Sequence, residues 1–424
     1  MPEAQAQLSE QKSLLTEDWA VVVLGFAIII ILVLGFIVPV PEFGWKSFDD
    51  LFTTVLSFDN LIKTLSQFAF VFVFAIGATY LTGKPVKRSL LVFPVVCGLT
   101  LIALILAGNS AIKALNLEAV IFSLAVGLLI GNLFHLPEWF RAALSTELFV
   151  KIGLVLLGTG IIFGDILKAG SLGLIQALIV VVAVWYFAYW LCRKLKIDDE
   201  LTMMISSAVS ICGVSAAIAT AGAIKGDTKK LSYVISLVLI TAIPMMIFMP
   251  AIASTFGFKE EVTGAWLGGS IDTTGAVVAS GTLVGDTALK VSTIVKFSQN
   301  VLLGLAAFAI SVYWTYTKKG GDKSNERKPG LGVIWDRFPK FIIGFILASI
   351  LFSFFLDPST VQNVKESVKS IQTLWFVLAF TSIGLETKFS DLFNSETKRP
   401  LYAFLLAQLF NILVTLIIAS LLFG

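Results

Sequence analysis

Long apolar runs separated by short polar segments recur along the whole chain. Each run of about 20 residues can cross roughly 30 Å of hydrocarbon as a helix, which satisfies its own backbone hydrogen bonds. We therefore expect an all-α polytopic membrane protein with eleven to thirteen transmembrane helices. The predicted spans lie near residues 19–41, 61–82, 89–107, 118–133, 146–168, 173–192, 203–225, 230–252, 264–284, 288–316, 337–356, 370–390 and 400–423.

The distribution of basic residues predicts the topology. Short loops rich in lysine and arginine lie near 84–88, 193–196 and 318–328. Because such loops favour the cytoplasmic side, we expect a cytoplasmic N-terminus. Thirteen crossings place the lysines near 225–230 on the opposite side. Eleven crossings, with 203–225 and 264–284 as re-entrant hairpins, remove that conflict, so both topologies stay open.

Polarity divides the chain into three parts. Residues 1–18 form a polar cytoplasmic segment, 19–116 form the N-terminal helices, and 117–424 form a core with internal repeats. The first apolar run lacks an Ala-x-Ala-like cleavage site and is interpreted as a retained span. Apolar residues at helical spacing near 46–59 predict a short helix lying in the membrane interface.

Composition narrows the possible functions. The chain is 57% hydrophobic and only 14% charged, with a mean hydropathy of +0.91. A net charge of +3 spread over loops does not indicate nucleic-acid binding. The chain has three cysteines, which lack metal-ligand spacing, and a single histidine, His135. It therefore has few of the residues that catalysis or a metal centre usually requires. We expect no enzyme activity and no cofactor, apart from Na⁺ as a possible coupling ion.

Two internal stretches share a small, polar, glycine-broken pattern. SICGVSAAIATAGAIKGDT begins at Ser210 and GGSIDTTGAVVASGTLVGDT begins at Gly268, and they match at a spacing of fifty-nine positions. A second similarity pairs GTGIIFGDIL, which contains Asp165, with IGLETKFSDL, which contains Asp391. The second pair runs in opposite directions by the span count, as in inverted-topology repeats. We expect Asp165 and Asp391 to be caps or interface residues.

Small and hydroxyl-bearing residues at membrane depth predict two broken helices. Glycine allows a helix to unwind, and the half-helix ends offer N–H groups to an anion and carbonyls to a cation. A simpler alternative is that small residues only allow close helix packing. The predicted substrate-binding residues are Ser210, Cys212, Gly213, Val214, Ser215, Ser270, Thr273, Thr274 and Gly275.

Charged residues inside predicted spans are the candidates for ion coupling. Asp272 and Lys296 lie deep in their spans and are predicted to form a charge pair or a proton-coupled switch. Near Gly384, two interpretations stay open: a third helix break with charges at an aqueous mouth, or an ordinary solvated helix end. The secondary candidates are Gln299, Thr381, Ser382, Gly384 and Glu386, with Asn300 beside Gln299 and Lys388 beyond Glu386.

Five segments of the chain resemble the YeiH-type family of bacterial inner-membrane proteins, commonly labelled sulfate exporters. The resemblance covers roughly 118–424, and it rests on GLLIGN at 127–132, KIGLVLLGTGIIFGDI at 151–166, SSAVSICGVSAAIAT at 206–220, GAVVASG at 275–281 and the IGLETKFSDL segment. It implies a fold of the cation/proton antiporter and bile-acid symporter superfamily, with inverted repeats and discontinuous helices. The implied activity is secondary transport.

The chain departs from the family pattern at two points. Where the family typically has His-Glu before GAVVASG, this chain has Asp272-Thr273, and a family arginine after Lys296 is replaced by Gln299. Both changes weaken the case for a doubly charged anion as the substrate.

The first functional hypothesis is a small-anion transporter coupled to H⁺ or Na⁺. The alternatives are a cation/proton antiporter without an anionic substrate, and a channel or sensor on the same fold. Expected partners are the anion, the coupling ion and the bilayer; homodimerisation is left open.

Overall fold

A computed structural model describes residues 13–114, 119–317, 332–387 and 398–424, and within these ranges it is helical with no strand. The helices in chain order are α1 (Glu17–Val33), α2 (Phe48–Asp50), α3 (Phe58–Leu81), α4 (Val86–Ala107), α5 (Ser110–Ala114), α6 (Ala119–Leu133), α7 (Glu138–Ala143), α8 (Thr146–Leu157), α9 (Phe163–Lys194), α10 (Asp199–Ser207), α11 (Val214–Ile224), α12 (Thr228–Thr255), α13 (Glu260–Ser270), α14 (Thr274–Val284), α15 (Asp286–Thr317), α16 (Gly332–Arg337), α17 (Phe341–Ile350), α18 (Pro358–Glu386) and α19 (Arg399–Phe423).

The fold is that of an all-α polytopic membrane protein. Within the described ranges, eight helical segments are long and apolar enough to cross a membrane: Phe58–Leu81, Val86–Ala107, Glu138–Gly160 (α7, α8 and the turn that ends α8), Phe163–Lys194, Thr228–Thr255, Asp286–Trp314, Pro358–Glu386 and Arg399–Phe423. The other five predicted spans fall on shorter or broken helices, which are α1, α6, α10 with α11, α13 with α14, and α17. The discontinuous helices predicted from the sequence are therefore confirmed.

Three span boundaries differ from the sequence prediction. The first predicted span, 19–41, ends as helix α1 at Val33, because Gly35 takes a left-handed φ of 99°. The predicted division at 168–173 is wrong, because the turn at Gly158–Gly160 ends α8 and α9 already begins at Phe163. Helix α18 begins at Pro358, twelve residues before its predicted span at 370, so its polar first turns are helical too.

The stretch near 46–59, where an interfacial helix is predicted, contains a short helical segment. A capping box at Ser47 starts α2, a π-helical turn at Leu51–Val55 follows, and α3 begins at Phe58. Phe48 and Phe52 are well exposed. The helical segment therefore ends before residue 59.

The chain forms two compact units, each built from segments that are distant in sequence: Met1–Phe163 with Lys340–Lys388, and Gly164–Pro339 with Phe389–Gly424. In the first unit, α6 packs on α18 through glycines. A methyl group added to Gly127 would lie 2.3 Å from the carbonyl oxygen of Thr381, and one added to Gly384 would lie 2.6 Å from that of Leu124. Gly127 and Gly131, four residues apart, thus allow the two helices to pack closely.

The second unit has an apolar core to which α9, α10, α12 and α19 contribute. Val184, Met204, Val238 and Phe404 are fully buried there. Between membrane-spanning helices, such side chains contribute to stability through close van der Waals packing rather than through removal from water. This packed scaffold holds the two broken helices, α10 with α11 and α13 with α14, against α15.

Candidate functional site

The first break separates α10 from α11. After α10 the chain makes a π-helical turn, Ala208–Cys212, and Gly213 then takes φ 61° and ψ −112°. Side chains avoid this conformation, so glycine is required there. The hydroxyl of Ser210 donates to the carbonyl of Ser206 at 2.7 Å, a contact that bends helices. Helix α11 is then only eleven residues long, about 16 Å.

The second break separates α13 from α14. Helix α13 ends at Ser270, and Ile271 and Thr273 are extended, with ψ values of 130° and 141°. The hydroxyl of Thr273 accepts a hydrogen bond from the backbone N–H of Ala276 at 3.3 Å, which caps α14. Helix α14, like α11, has eleven residues. Each break therefore leaves a short half-helix whose N-terminus faces the interruption.

The two breaks are in contact. A methyl group added to Gly213 would lie 3.0 Å from Cβ of Asp272 and 2.6 Å from Cγ1 of Val238. The Cβ atom of Asp272, in the second break, thus lies directly against the glycine of the first. Only a residue without a side chain allows this approach.

Asp272 is buried and incompletely hydrogen-bonded. The residue is 2% exposed, and its Oδ2 atom has no hydrogen-bond partner. The hydroxyl of neighbouring Ser270 and the Oε1 atom of Gln408 also lack a donor. Buried polar atoms are normally paired, so three unpaired oxygens around one break are consistent with a proton or a hard cation as the missing partner.

Lys296 on α15 is buried, with 1% exposure. Its ammonium donates to the carbonyl of Ile211 at 2.8 Å and to Oε1 of Gln299 at 3.0 Å. The hydrogen bonds found for Lys296 therefore go to the end of the first break and to α15, and not to the carboxylate of Asp272. An ammonium has three donors, so one remains available to a solute.

Two amide side chains, one on α15 and one on α19, donate hydrogen bonds to the breaks. On α15, Nε2 of Gln299 donates to the carbonyl of Gly269 at 2.9 Å. On α19, Nδ2 of Asn411 donates to Val209 at 3.0 Å and to Ser270 at 3.2 Å. These contacts satisfy carbonyls that unwinding leaves without helical partners.

Gln408 and Asn411 were not among the sequence candidates. The amide of Gln408 donates to the carbonyl of Ser270 at 2.8 Å, and Thr415 donates to Oδ1 of Asn411 at 2.9 Å. All three side chains are at most 3% exposed. Their spacing of three and four residues in an apolar span was the signal that could have found them.

The remaining predicted residues of the breaks differ in burial. Cys212 and Gly275 are buried, Val214, Thr273 and Thr274 are half-buried, and Ser215 is exposed. Asn300 donates from Nδ2 to the hydroxyl of Thr274 at 3.3 Å, while its Oδ1 lacks a partner. The structure thus brings the residues of both breaks, Lys296 and Gln299 together within the second unit.

The secondary candidates near Gly384 lie in the first unit. Helix α18 continues through Gly384 to Glu386, so the hypothesis of a third break there is wrong. Gly384 is needed for contact with α6. Thr381 hydrogen-bonds Thr100 at 2.9 Å, Ser382 donates to its own helix, and Glu386 accepts from Thr146 at 2.7 Å. Lys388 and Asp391 lie outside the described residues.

The repeated GDT sequence marks helix starts. The carboxylate of Asp227 accepts from the backbone N–H groups of Lys229 and Lys230 at 2.6 and 3.2 Å. These bonds hold the pKa of Asp227 below its usual value. Asp286, its equivalent, is the first residue of α15. This part of the repeat therefore has a structural explanation.

An ion-pair network in the first unit was also missed from the sequence. Lys151 Nζ lies 3.0 Å from carboxylate oxygens of both Glu17 and Asp18, and Lys84 Nζ lies 3.1 Å from Glu17. Residues 17 and 18 were assigned to a polar N-terminal segment, whereas they form the first turn of α1. A half-buried lysine in α8 paired with that turn cannot be inferred from spacing.

These observations define a helical membrane protein with two mutually contacting helix breaks. Residues 90–403 match the model of the family described as conserved hypothetical protein 698. A UPF0324 membrane protein of Rhodopirellula baltica is 40% identical over 377 residues, which are 87% of this chain and 68% of that relative. One of Nitratidesulfovibrio vulgaris is 37% identical over 362 residues, 82% of this chain and 62% of its own length.

The chain belongs to this family, and the resemblance to the YeiH-type proteins is confirmed. The match covers about two thirds of the length of either relative. A UPF0324 membrane protein of Nitrosomonas europaea is 30% identical over 317 residues, 67% of this chain and 64% of its own length. No solved structure matches the chain.

Proposed function

We propose that the chain is a secondary active transporter of a small anion, coupled to H⁺ or Na⁺ and working by alternating access. The contact between Gly213 and Asp272 carries this proposal. It places one carboxylate where two interrupted helices meet, an arrangement that builds solute sites in transporters. We further propose that the chain lies in the bacterial inner membrane with a cytoplasmic N-terminus.

The anion is proposed to bind at the N-termini of α11 and α14. Half-helix N-termini carry unpaired N–H groups and a partial positive charge. The remaining donor of Lys296 adds a full charge. The hydroxyls of Ser215, Thr273 and Thr274 complete a set of donors suited to an oxyanion such as sulfate or an organosulfonate.

Asp272 is proposed to bind the coupling ion. A carboxylate near the anion site repels the substrate when it is ionised, and a bound proton or Na⁺ removes that repulsion. Anion and coupling ion therefore bind together more readily than either binds alone. The unpaired oxygens of Asp272, Ser270 and Gln408 support this role.

The second candidate is a cation/proton antiporter without an anionic substrate. The same buried oxygens favour it, because Asp272 can alternate between a proton and a cation.

No cluster of three or more His, Cys, Asp or Glu side chains that could hold a metal ion occurs in the described ranges. We do not propose enzyme activity.

Flux in proteoliposomes tests the proposal. Labelled sulfate, sulfite, thiosulfate and taurine are offered in turn under an imposed pH or Na⁺ gradient. The proposal expects gradient-driven uptake of at least one anion. Gradient-driven Na⁺ flux that is independent of every anion favours the antiporter. Asp272→Asn with Ser215→Ala serves as the site variant, and unchanged flux in that double variant contradicts the proposed site.

A further inference from the structure

A pocket of about 470 Å³ lies in the first unit, lined by α3, α4, α18 and the segment that follows α1. This volume is within the range of about 300–1,000 Å³ that is usual for small-molecule sites. Neither helix break contributes to its lining, and no role assigned above uses it.

The outer wall of the pocket is a fixed strap, residues 38–45. The hydroxyl of Ser367 donates to the carbonyl of Val38 at 2.8 Å. Asn60 bonds both backbone groups of Glu42, each at 2.8 Å. The indole N–H of Trp45 donates to a carbonyl in the last turns of α4 at 2.7 Å. Attachment at three points holds the pocket open before any ligand binds, which lowers the entropy lost on binding.

One wall of the pocket is polar and carries both signs of charge. Glu366, Lys369, Ser370 and Thr373 line it, and their spacing of three, four and seven residues puts them on one face of α18. Gln67, only 3% exposed, donates to the hydroxyl of Ser370 at 2.7 Å. A carboxylate and an ammonium one helical turn apart suit a ligand that itself has an ammonium and an oxyanion.

The rest of the pocket lining is an apolar wall. It is formed by Val40, Pro41, Phe43, Leu104 and Leu374. The ligand must therefore have an apolar part beside its zwitterionic head. A soluble amino acid or taurine leaves this wall uncovered.

The chain around the pocket fits the membrane interface. Directly after the strap, Phe48, Phe52 and Phe58 are 75%, 64% and 81% exposed. Exposed aromatic residues beside a short amphipathic helix concentrate at the level of lipid headgroups.

We propose that this pocket binds the headgroup of a zwitterionic phospholipid, with ethanolamine at Glu366 and phosphate at Lys369 and Ser370. The first acyl carbons then lie over Leu104 and Leu374. The Ser370 hydroxyl, which accepts from Gln67 and can still donate, and the Lys369 ammonium give the phosphate charge-assisted hydrogen bonds. This proposal does not depend on transport.

Native mass spectrometry of the purified full-length chain tests the proposal. Delipidated protein is titrated with dioleoyl-phosphatidylethanolamine, with dioleoyl-phosphatidylglycerol, and with soluble phosphoethanolamine. We expect one phosphatidylethanolamine per chain, bound about tenfold more tightly than phosphatidylglycerol, which lacks the ammonium. Glu366→Gln and Lys369→Met should each weaken binding about tenfold, roughly the loss of one charge-assisted contact.

Lys365→Met is the matched control, because Lys365 is exposed on the same helix and does not line the pocket. It should bind as the unmodified protein does, and all variants should unfold at the same temperature without lipid. Equal binding of the two lipids, or insensitivity to Glu366→Gln, overturns the proposal. Phosphoethanolamine binding as tightly as the lipid overturns it too, because the site then takes a soluble zwitterion.

Discussion

Gly213 and Asp272 occupy equivalent positions of the two similar stretches, fifty-nine residues apart, and they lie against each other. Cβ of Asp272 is 3.0 Å from the place where a methyl group on Gly213 would be. The internal similarity therefore corresponds to a physical contact between the two helix breaks. Neither break can change its conformation without affecting the other.

Gly213→Ala should strongly disturb the contact between the two helix breaks. An alanine at this position would have to keep a backbone conformation that side chains avoid, at a cost of about 1–3 kcal/mol. Its methyl group would also meet Asp272 and Val238. We expect a lower unfolding temperature and loss of flux. Gly170→Ala is the control, because its nearest neighbour there is at an ordinary 3.8 Å. Normal flux in Gly213→Ala at unchanged stability contradicts the described geometry.

Lys296→Met should abolish flux while the protein still folds. The variant keeps much of the apolar stem but leaves the carbonyl of Ile211 and Oε1 of Gln299 without their donor. Uptake in proteoliposomes measures the effect. Lys290→Met, on the same helix but half-buried, should retain flux. Equal flux in both variants excludes a role for the Lys296 ammonium.

Asn411→Leu should destabilise the protein by about 1–3 kcal/mol, because buried carbonyls of Val209 and Ser270 lose a donor. Denaturant unfolding in detergent measures the change. Leu413→Ala, an exposed position on the same helix, should have a much smaller effect. If the two variants are equally stable, Asn411 does not hold the breaks together.

Gly384→Ala should separate α6 from α18. The added methyl group would lie 2.6 Å from backbone atoms of both Leu124 and Leu128, and backbone cannot rotate away as a side chain can. A loss of about 1–3 kcal/mol is expected for such overpacking. Gly98→Ala meets nothing within 4 Å and should be neutral or slightly stabilising. Thermal unfolding distinguishes the two variants, and an unaffected Gly384→Ala is inconsistent with this packing.

Lys151→Met should destabilise the first unit. It leaves the carboxylates of Glu17 and Asp18 without a shared partner in a partly buried setting. Breaking a fully buried pair costs about 3–5 kcal/mol. Since the Glu17 side chain is 29% exposed, we expect about 1–3 kcal/mol. Lys84→Met removes a single, more exposed partner of Glu17 and should have the smaller effect in thermal unfolding. The reverse order would contradict the network.

The sequence predicted the breaks because local chemistry determines them. Glycine, hydroxyl groups and a carboxylate inside an apolar span are incompatible with an ordinary buried helix. The partners of those breaks could not be predicted in the same way. Gln408 and Asn411 look like minor polar interruptions of the last span until the fold brings them to Ser270.

Gly384 shows what sequence patterns alone cannot predict. A glycine followed by charged residues is compatible with a break, with a solvated helix end and with close packing. Helix α6 determines the outcome, because it approaches so closely that only glycine fits. Similarly, the depth of Lys296 indicated a buried charge, but its partners, Ile211 and Gln299, depend on how α15 packs against the first break.

Coupled flux in Asp272→Asn tests the central claim most directly. Asparagine keeps the size of the side chain where the two breaks meet, but it cannot bind or release a proton. With the transported anion on both sides of proteoliposome membranes, the variant should still exchange labelled for unlabelled anion. It should no longer accumulate anion under a pH or Na⁺ gradient. If Asp272→Asn accumulates anion as the unmodified protein does, Asp272 is not the coupling residue and the account is contradicted.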